Sequence, residues 1–177
     1  MSREGWIADL GEVMQLAFVP NDFDAALKHW TEVMGVGPFF LIENIQLGDM
    51  KYRGEPTEAV FTLALAYWGD IQIELIRPEN DAPSIYSGEY AATEGMHHVC
   101  ILVDDIGKAR EVCAEGGAEV ALEGTFGASQ VIYVDPGNGT GHLVEILQQD
   151  KSGPDLFGII KAASVGWDGS DPVRSLG

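Results

Sequence analysis

Four residues whose side chains can bind a metal ion each interrupt an apolar stretch of the sequence: Gln15, Glu74, His98 and Glu145. Glu74 and Glu145 stand among Ile, Leu and Val, where a dehydrated and unpaired carboxylate costs several kcal/mol. A divalent cation would offset that cost, because oxygen and imidazole donors on one concave face can close around it. The set has no thiolate, so zinc, nickel, cobalt and manganese all fit, and so does magnesium.

Each of these residues has a simpler alternative role. Glu74 and Glu145 could be partly exposed carboxylates on a strand, and His98 could be a hydrogen-bonded core histidine. Gln15 could form hydrogen bonds inside the sheet without binding metal, because glutamine is a poor ligand. The matching places of the four residues in a repeated pattern favour the metal site.

Strand alternation positions the four residues. Successive side chains point to opposite faces of a strand, and in each of the four strands one face is wholly apolar, as expected of a face that packs against a helix. The opposite face carries one ligand-type residue. Gln15 and His98 fall at corresponding strand starts, and Glu74 and Glu145 fall mid-strand.

The other histidines and the two cysteines are not expected to take part. Alternation places His97 and His142 on the helix-facing side at strand starts, where exposed or capping roles are expected, and His29 lies on a predicted helix. Cys100 and Cys113 are predicted to be reduced, buried small residues, because two cysteines support neither a disulfide framework nor a thiolate cluster.

The order strand, helix, three strands occurs twice in the sequence. Strands are predicted at 13–19, 39–45, 58–68 and 71–76 with a helix at 22–34, and then at 98–103, 118–122, 130–134 and 142–147 with a helix at 105–115. "QLAFVPNDF" aligns with "HVCILVDDI", and "IELIRP" aligns with "VEILQQ". Gly48-Asp49 and Gly69-Asp70 are predicted turns.

This duplication predicts an α+β fold in which two tandem βαβββ modules form a curved, partly closed mixed sheet with helices on the outside. Residues 1–12 form an N-terminal arm, 13–78 the first module, 79–95 a linker or lid, and 96–149 the second module. Residues 150–177 are a tail with one short helix at 154–163. Its Leu156, Ile159, Ile160 and Ala163 are expected to cover the domain or a second subunit, and the final "WDGSDPVRSLG" is expected to be loosely ordered apart from one contact of Trp167.

Charge and hydropathy exclude several partners. The chain has 28 acidic and 10 basic residues and a net charge of −18, which repels a phosphate backbone, so neither nucleic acid nor an anionic membrane is an expected partner. No apolar run approaches the roughly 20 residues of a membrane-spanning helix, and the N-terminus lacks the apolar region of a signal peptide. A cytoplasmic location is therefore expected.

The repeated βαβββ order, with Gln15, Glu74, His98 and Glu145 on the first and last strands of each module, resembles the vicinal oxygen chelate superfamily. That superfamily includes glyoxalase I, methylmalonyl-CoA epimerase, extradiol dioxygenases and bleomycin-resistance proteins. The resemblance covers 13–149, and the segments "DPGNGTGHLVEI" and "TEVMGVGPF" look like those of the epimerase and glyoxalase branches. The order Gln, Glu, His, Glu is similar to the ligand set of zinc-type glyoxalase I, whereas the epimerases tend to have His first and Gln second.

The resemblance implies a metal-dependent enzyme acting on an enolisable carbonyl or thioester compound through a metal-stabilised enediolate. The reaction would be an isomerisation, an epimerisation or a glyoxalase-type lyase reaction, with Glu145 as the first choice of proton-transferring base and Glu74 as the second. A homodimer is expected, and the resemblance allows a site within one chain or across two.

Two alternatives differ in chemistry. An iron-dependent ring-cleaving dioxygenase is disfavoured, because it needs two histidines and one carboxylate. A metal-free protein that binds a hydrophobic or aromatic molecule is compatible with the many aromatic residues, for which core packing is the simpler role: Phe39, Phe40, Phe61, Tyr67, Trp68, Tyr86 and Tyr90.

Overall fold

The computed structural model of the 177-residue chain describes residues 5–91, 95–137 and 142–176. The first part of the chain contains β1 (Val13–Phe18), α1 (Phe23–Lys28), β2 (Phe39–Ile45), β3 (Gly48–Tyr52), β4 (Glu55–Pro56), β5 (Phe61–Trp68) and β6 (Ile71–Pro78). The second part contains β7 (Met96–Leu102), α2 (Ile106–Glu115), β8 (Glu119–Phe126), β9 (Ser129–Asp135), β10 (Leu143–Gln148), α3 (Leu156–Ser164) and β11 (Val173–Ser175). Parts of the predicted arm (1–4), of the predicted linker (92–94) and of the segment "DPGNGTGHLVEI" (138–141) lie outside the described residues.

The sheet has the internal symmetry that the duplication predicts. Within the described ranges, eleven strands form one sheet in the order β11-β2-β5-β6-β1-β7-β10-β9-β8-β3-β4. β1 is parallel to β6, β7 is parallel to β10, and β1 and β7 pair antiparallel at the centre. The predicted mixed α+β fold is therefore confirmed, and the four strands that carry the ligand-type residues are adjacent.

The sheet is strongly curved. Only Gln46 and Leu47 separate β2 from β3, yet these strands lie near opposite ends of the strand order. The two ends of the sheet must therefore approach each other. A Cβ atom added at Gly124 would lie 2.8 Å from Cβ of Leu47, so glycine permits the close approach where the chain crosses.

β3 is an element that the sequence did not predict. Gly48-Asp49 was expected to form a turn, but the segment is a strand that pairs antiparallel with β8 of the second module. Only Met50 is buried in its short alternating pattern, and Asp49 adopts a left-handed φ of 48°. Such a short strand gives little hydrophobic periodicity, and its pairing partner is distant in sequence.

α1 and α2 pack against the outer face of the sheet, as predicted. Asp22 caps α1 by accepting a hydrogen bond from the amide of Ala25, and Asp105 caps α2 in the same way from Lys108. The first helix continues in a π-helical turn at His29–Val33. This wider turn displaces the following residue, Met34, from the apolar face of the helix, and Met34 is exposed.

The C-terminal tail is more ordered than predicted. Ile160 of α3 is fully buried against Phe40, Leu65 and Tyr67, whereas Ile159, which was expected to cover either the domain or a second subunit, is exposed in the single chain. The final segment, predicted to be loosely ordered, forms β11 and extends the sheet by pairing in parallel with β2. Backbone pairing with an edge strand orders this polar segment.

α3 lies on the inner face of the sheet, unlike α1 and α2. Leu65 and Tyr67 contact α3, whereas the alternate residues Ala64 and Ala66 pack with α1 on the outer face. Leu65 is paired with Glu74 in the sheet register, so α3 covers the same face that carries the ligand-type residues. Among the helices of the described ranges, none has the length and apolarity needed to cross a bilayer.

Candidate metal centre

The structure brings the predicted ligands together in the middle of the sheet. Gln15 (β1), Glu74 (β6), His98 (β7) and Glu145 (β10) are all buried, with exposed fractions of 3%, 5%, 0% and 7%. Nε2 of His98 lies 3.1 Å from Oε2 of Glu145 and 3.3 Å from Oε2 of Glu74. One ligand atom from each of these three residues lies within 4.8 Å of the others. All contributing strands belong to one chain.

Gln15 completes one side of this cluster. Its Nε2 donates a hydrogen bond to Oε1 of Gln72 at 2.7 Å, and Gln72 in turn donates to the hydroxyl of Tyr67 at 3.3 Å. This orientation leaves Oε1 of Gln15 buried with no hydrogen-bond partner within the described part of the chain. Oε2 of Glu74 is buried and equally without a hydrogen-bond partner there, because the Nε2 of His98 bonds to Glu145 instead.

These two oxygens test whether the residues fit a metal ion. A buried acceptor left without a donor costs about 1–3 kcal/mol, and two such acceptors beside a carboxylate and an imidazole form a strongly electron-rich cluster. A divalent cation is bound by atoms that donate such lone pairs. Donor atoms about 3 Å apart also match neighbouring ligands of a cation bound at roughly 2.0–2.2 Å. The residues therefore fit a zinc, nickel, cobalt or manganese ion, although a fourth ligand from Gln15 is the weakest member of the set.

His97 orients His98 through a hydrogen-bonded relay. Nε2 of His97 lies 2.9 Å from the carbonyl of Ile85 and 3.0 Å from that of Tyr90. A carbonyl can only accept, so this nitrogen carries a hydrogen. Burial, with His98 nearby, lowers the pKa of His97 to about 4, so the ring is neutral and its Nδ1 is an acceptor. Nδ1 of His98, 2.9 Å away, must therefore donate to it, which turns Nε2 of His98 toward the carboxylates.

The prediction that His97 takes an exposed or capping role is wrong. The ring is buried, with 7% exposed. Phe18 of β1 pairs with Met96 of β7, and the preceding residue Ala17 pairs with His98. His97 is therefore an extra residue in β7 that has no partner in β1. This irregularity breaks the strict alternation on which the prediction depended. No local pattern in the sequence indicated the relay, since its acceptors are backbone carbonyls of the 79–95 segment. His142 and His29 are exposed.

The electrostatics of the cluster depend on His98. Burial alone would lower the pKa of His98, but its hydrogen bond to Glu145 and its close charge interactions with Glu145 and Glu74 outweigh burial and raise the pKa to about 9. Burial raises the pKa of Glu74, and the neighbouring His98 and Gln15 partly offset that effect. Without a metal ion, a protonated His98 is thus the positive charge that holds the carboxylates together.

The relay predicts that His97 supports metal binding without touching the metal. We expect His97→Phe, which keeps a ring but loses its hydrogen bonds to His98 and to the carbonyls of Ile85 and Tyr90, to weaken metal binding by about 10- to 100-fold. His97→Gln can still accept from His98 and donate to a carbonyl, so it should retain most of the affinity. Competition with a chromophoric chelator measures both, with His142→Phe as the exposed control. Equal affinities for wild type and His97→Phe would contradict the relay.

The cluster opens into a cavity of about 710 Å³. Gln15, Glu74 and Glu145 line it, whereas His98 lies behind them. The other walls come from strands of both halves of the curved sheet, from the turn at 126–129 and from the segment 149–157 that leads into α3. The candidate metal centre is therefore accessible to a small molecule through a mainly apolar chamber.

Comparison with known proteins agrees with this architecture. The family model described as glyoxalase/bleomycin resistance protein/dioxygenase superfamily matches residues 14–134. None of the curated proteins compared matches the chain.

Three solved structures with a similar fold align with this chain over more than nine-tenths of their own length. A hypothetical protein, BH1468, from Bacillus halodurans C-125 has a TM-score of 0.57 at 17% identity and covers 82% of this chain and 99% of its own. A Streptomyces coelicolor methylmalonyl-CoA epimerase variant in complex with 2-nitronate-propionyl-CoA has a TM-score of 0.56 at 17% identity. The alignment covers 79% of this chain and 98% of the variant. The Mycobacterium tuberculosis methylmalonyl-CoA epimerase has a TM-score of 0.55 at 16% identity, and the alignment covers 81% of this chain and 91% of the epimerase.

At these identities the solved structures establish the fold alone. The family match spans both halves of the sheet and three of the four cluster residues, from Gln15 to His98. The duplicated modules, the curved mixed sheet and this match together mean that the chain belongs to the glyoxalase/bleomycin resistance protein/dioxygenase superfamily, the vicinal oxygen chelate proteins that its sequence resembles.

Proposed function

We propose that this protein is a divalent-metal-dependent enzyme that transfers a proton at the carbon next to a carbonyl group. The reaction would be an isomerisation, an epimerisation or a glyoxalase-type lyase reaction. The observation that carries the proposal is the pair of buried oxygens on Gln15 and Glu74 that have no hydrogen-bond partner among the described residues. Both side chains line one cavity together with Glu145, and Nε2 of His98 lies 3.1 Å and 3.3 Å from the carboxylates of Glu145 and Glu74.

Gln15, Glu74, His98 and Glu145 would hold the metal ion. When bound, the ion would supply a Lewis acid that polarises the carbonyl oxygen of the substrate and stabilises its developing negative charge. The apolar cavity walls would exclude water and so strengthen that electrostatic effect.

Proton transfer would fall to the carboxylates that line the cavity. Glu145 is the first choice as the base, because it faces the cavity and its orientation is fixed by His98. Glu74 lines the same cavity on the other side of His98. Two carboxylates can remove a proton and return it to another position or face, which is what isomerisation and epimerisation require. His98 does not line the cavity and would position Glu145 and the metal.

Metal analysis of the purified protein tests the proposal. Wild type should bind about one equivalent of zinc, nickel, cobalt or manganese per chain, and Glu145→Gln, which keeps the side-chain size but removes the charge, should lose most of it. Glu119→Gln, on an exposed position of β8, is the matched control. Wild-type protein that takes up none of these metals would refute the proposal.

The reaction type can be resolved by exchange in deuterated water. Methylglyoxal with glutathione tests the glyoxalase reaction, and acyl-CoA epimers test epimerisation, which the names of several similar structures suggest. Deuterium incorporation next to the carbonyl should require both metal and Glu145.

A metal-free binding protein is the second candidate, and the large cavity is the observation that favours it. It predicts a wild-type protein that binds an aromatic molecule while remaining without metal. The homodimer stays a prediction; because the four cluster residues come from one chain, the proposed chemistry does not require a partner residue.

A further inference from the structure

The side chains that line the cavity indicate the size and polarity of the substrate, which the metal centre alone does not. Apart from the cluster, much of the cavity lining is formed by aliphatic and aromatic side chains, including Ile42, Ile45, Phe61, Leu63, Leu65 and Leu147. Its volume of about 710 Å³ lies within the range of roughly 300–1,000 Å³ that holds a whole drug-sized ligand. The cavity is thus larger than a reacting carbonyl group alone would need.

The few charged side chains that line the cavity beside the cluster are mostly acidic and would repel an anionic ligand. Among the lysine and arginine side chains of the described residues, Lys151 alone lines the cavity, and it is paired with Asp104 at 2.6 Å. Asp150 and Asp155 lie at the same end. Among the described lining residues, one cation thus stands beside two further carboxylates, and the chain has a net charge of −18. This lining disfavours the phosphates of a coenzyme A thioester and the two carboxylates of a glutathione adduct.

The C-terminal tail makes the cavity apolar on its remaining side. Leu156 and Phe157 line it and also pack against the cluster formed by Phe40, Leu65 and Ile160. These residues lie beyond the 14–134 segment that the family match covers. The tail therefore adds an apolar wall to the cavity beyond the segment that the family model matches.

We infer that the substrate is an uncharged, apolar carbonyl compound that enters this cavity whole, without an anionic carrier such as coenzyme A or glutathione. This inference rests on the proposed function for the carbonyl group; the apolar and uncharged character comes from the walls and the entrance. Leu63 and Phe157 would set specificity by contacting the body of the substrate away from the metal centre.

Binding of an uncharged fluorescent probe, N-phenyl-1-naphthylamine, tests the inference without requiring turnover. We expect the wild-type protein to bind the probe with a micromolar Kd, and 2-phenylcyclohexanone, an apolar enolisable ketone, to displace it. Coenzyme A, acetoacetyl-CoA and glutathione should not displace the probe at concentrations 100-fold higher than the ketone requires. Displacement by acetoacetyl-CoA at lower concentration than by the ketone would overturn the inference, as would failure of the probe to bind.

Two variants connect binding to the cavity. Leu63→Trp should fill the cavity and weaken binding of the probe at least tenfold. Phe157→Ala should open the cavity and weaken displacement of the probe by the ketone. Val165→Trp is the control, because Val165 is 80% exposed, and it should leave both measurements unchanged. Equal probe binding by wild type and both cavity variants would contradict the inference.

Metal content separates this inference from the proposed function. Leu63→Trp should bind metal as wild type does, because Leu63 is not in the cluster. A protein that binds metal and exchanges protons only in acyl-CoA substrates would overturn the inference and leave the proposed function intact. A protein that binds the apolar probe but no metal would refute the proposed function, whereas the apolar, uncharged cavity would stand.

Discussion

Replacing His98 with alanine should abolish tight metal binding and also destabilise the metal-free protein. The ring supplies the nitrogen that lies 3.1 Å and 3.3 Å from the two carboxylates. Residues that only support a metal ligand contribute about 10- to 100-fold to metal affinity, so loss of the ligand should exceed roughly 100-fold. Without metal, the substitution removes the partner of two buried carboxylates, which costs about 3 kcal/mol in unfolding free energy.

Chelator competition and urea unfolding with and without EDTA measure the two effects. His142→Ala is the matched control, because that histidine is exposed and outside the cluster. It should leave both quantities unchanged within error. Wild-type metal affinity in His98→Ala would remove His98 from the ligand set, and an unchanged unfolding free energy in EDTA would show that the carboxylates do not depend on it.

The second large effect is a loss of stability of the metal-free protein as the pH rises from 6.5 to 9. The pKa of His98 is raised from 6.5 to about 9 in the folded state, so in this interval the folded protein holds a proton that the unfolded chain has lost. The contribution of that proton to the free energy of unfolding is fully present below pH 6.5 and is lost as the pH rises from 6.5 to about 9. A shift of this size corresponds to about 3 kcal/mol. The raised pKa of Glu74 acts in the same direction.

Metal binding should show the opposite dependence on pH. The ion and the proton compete for Nε2 of His98, so metal affinity should rise over the same interval as the proton is lost. Chemical unfolding in EDTA and chelator competition at matched pH values measure the two trends. His98→Gln should flatten the stability profile, and His142→Ala should preserve it. A metal-free wild type whose stability is constant between pH 6.5 and 9 would contradict this account.

The clustering of the four candidate residues was predictable because they obey strand alternation. Glu74 and Glu145 stand out as single carboxylates on apolar strands, and the repeat pairs Gln15 with His98. A period of two is enough to place such residues on one face. The fold followed for the same reason: two copies of one strand and helix order leave few ways to form a continuous sheet.

The features that sequence reasoning missed depend on contacts between distant segments. His97 was misplaced because an irregular residue in β7 breaks the alternation, and its acceptors are backbone carbonyls, which no residue type reveals. β3 was missed because its partner strand lies about seventy residues later in the chain. β11 was missed because a short polar strand gains its order from the edge of β2.

The crossing of β3 onto β8 has a consequence for how the duplicated halves depend on each other. Each half has its own helix and its own apolar layer against that helix, which suggests two autonomous units. However, the first half contributes a strand to the sheet of the second, and the central β1 and β7 pairing joins them again. Disorder in either half would withdraw backbone partners from the other. The repeats thus share a single cooperative folding unit, and the metal centre at their junction is assembled only when both are intact.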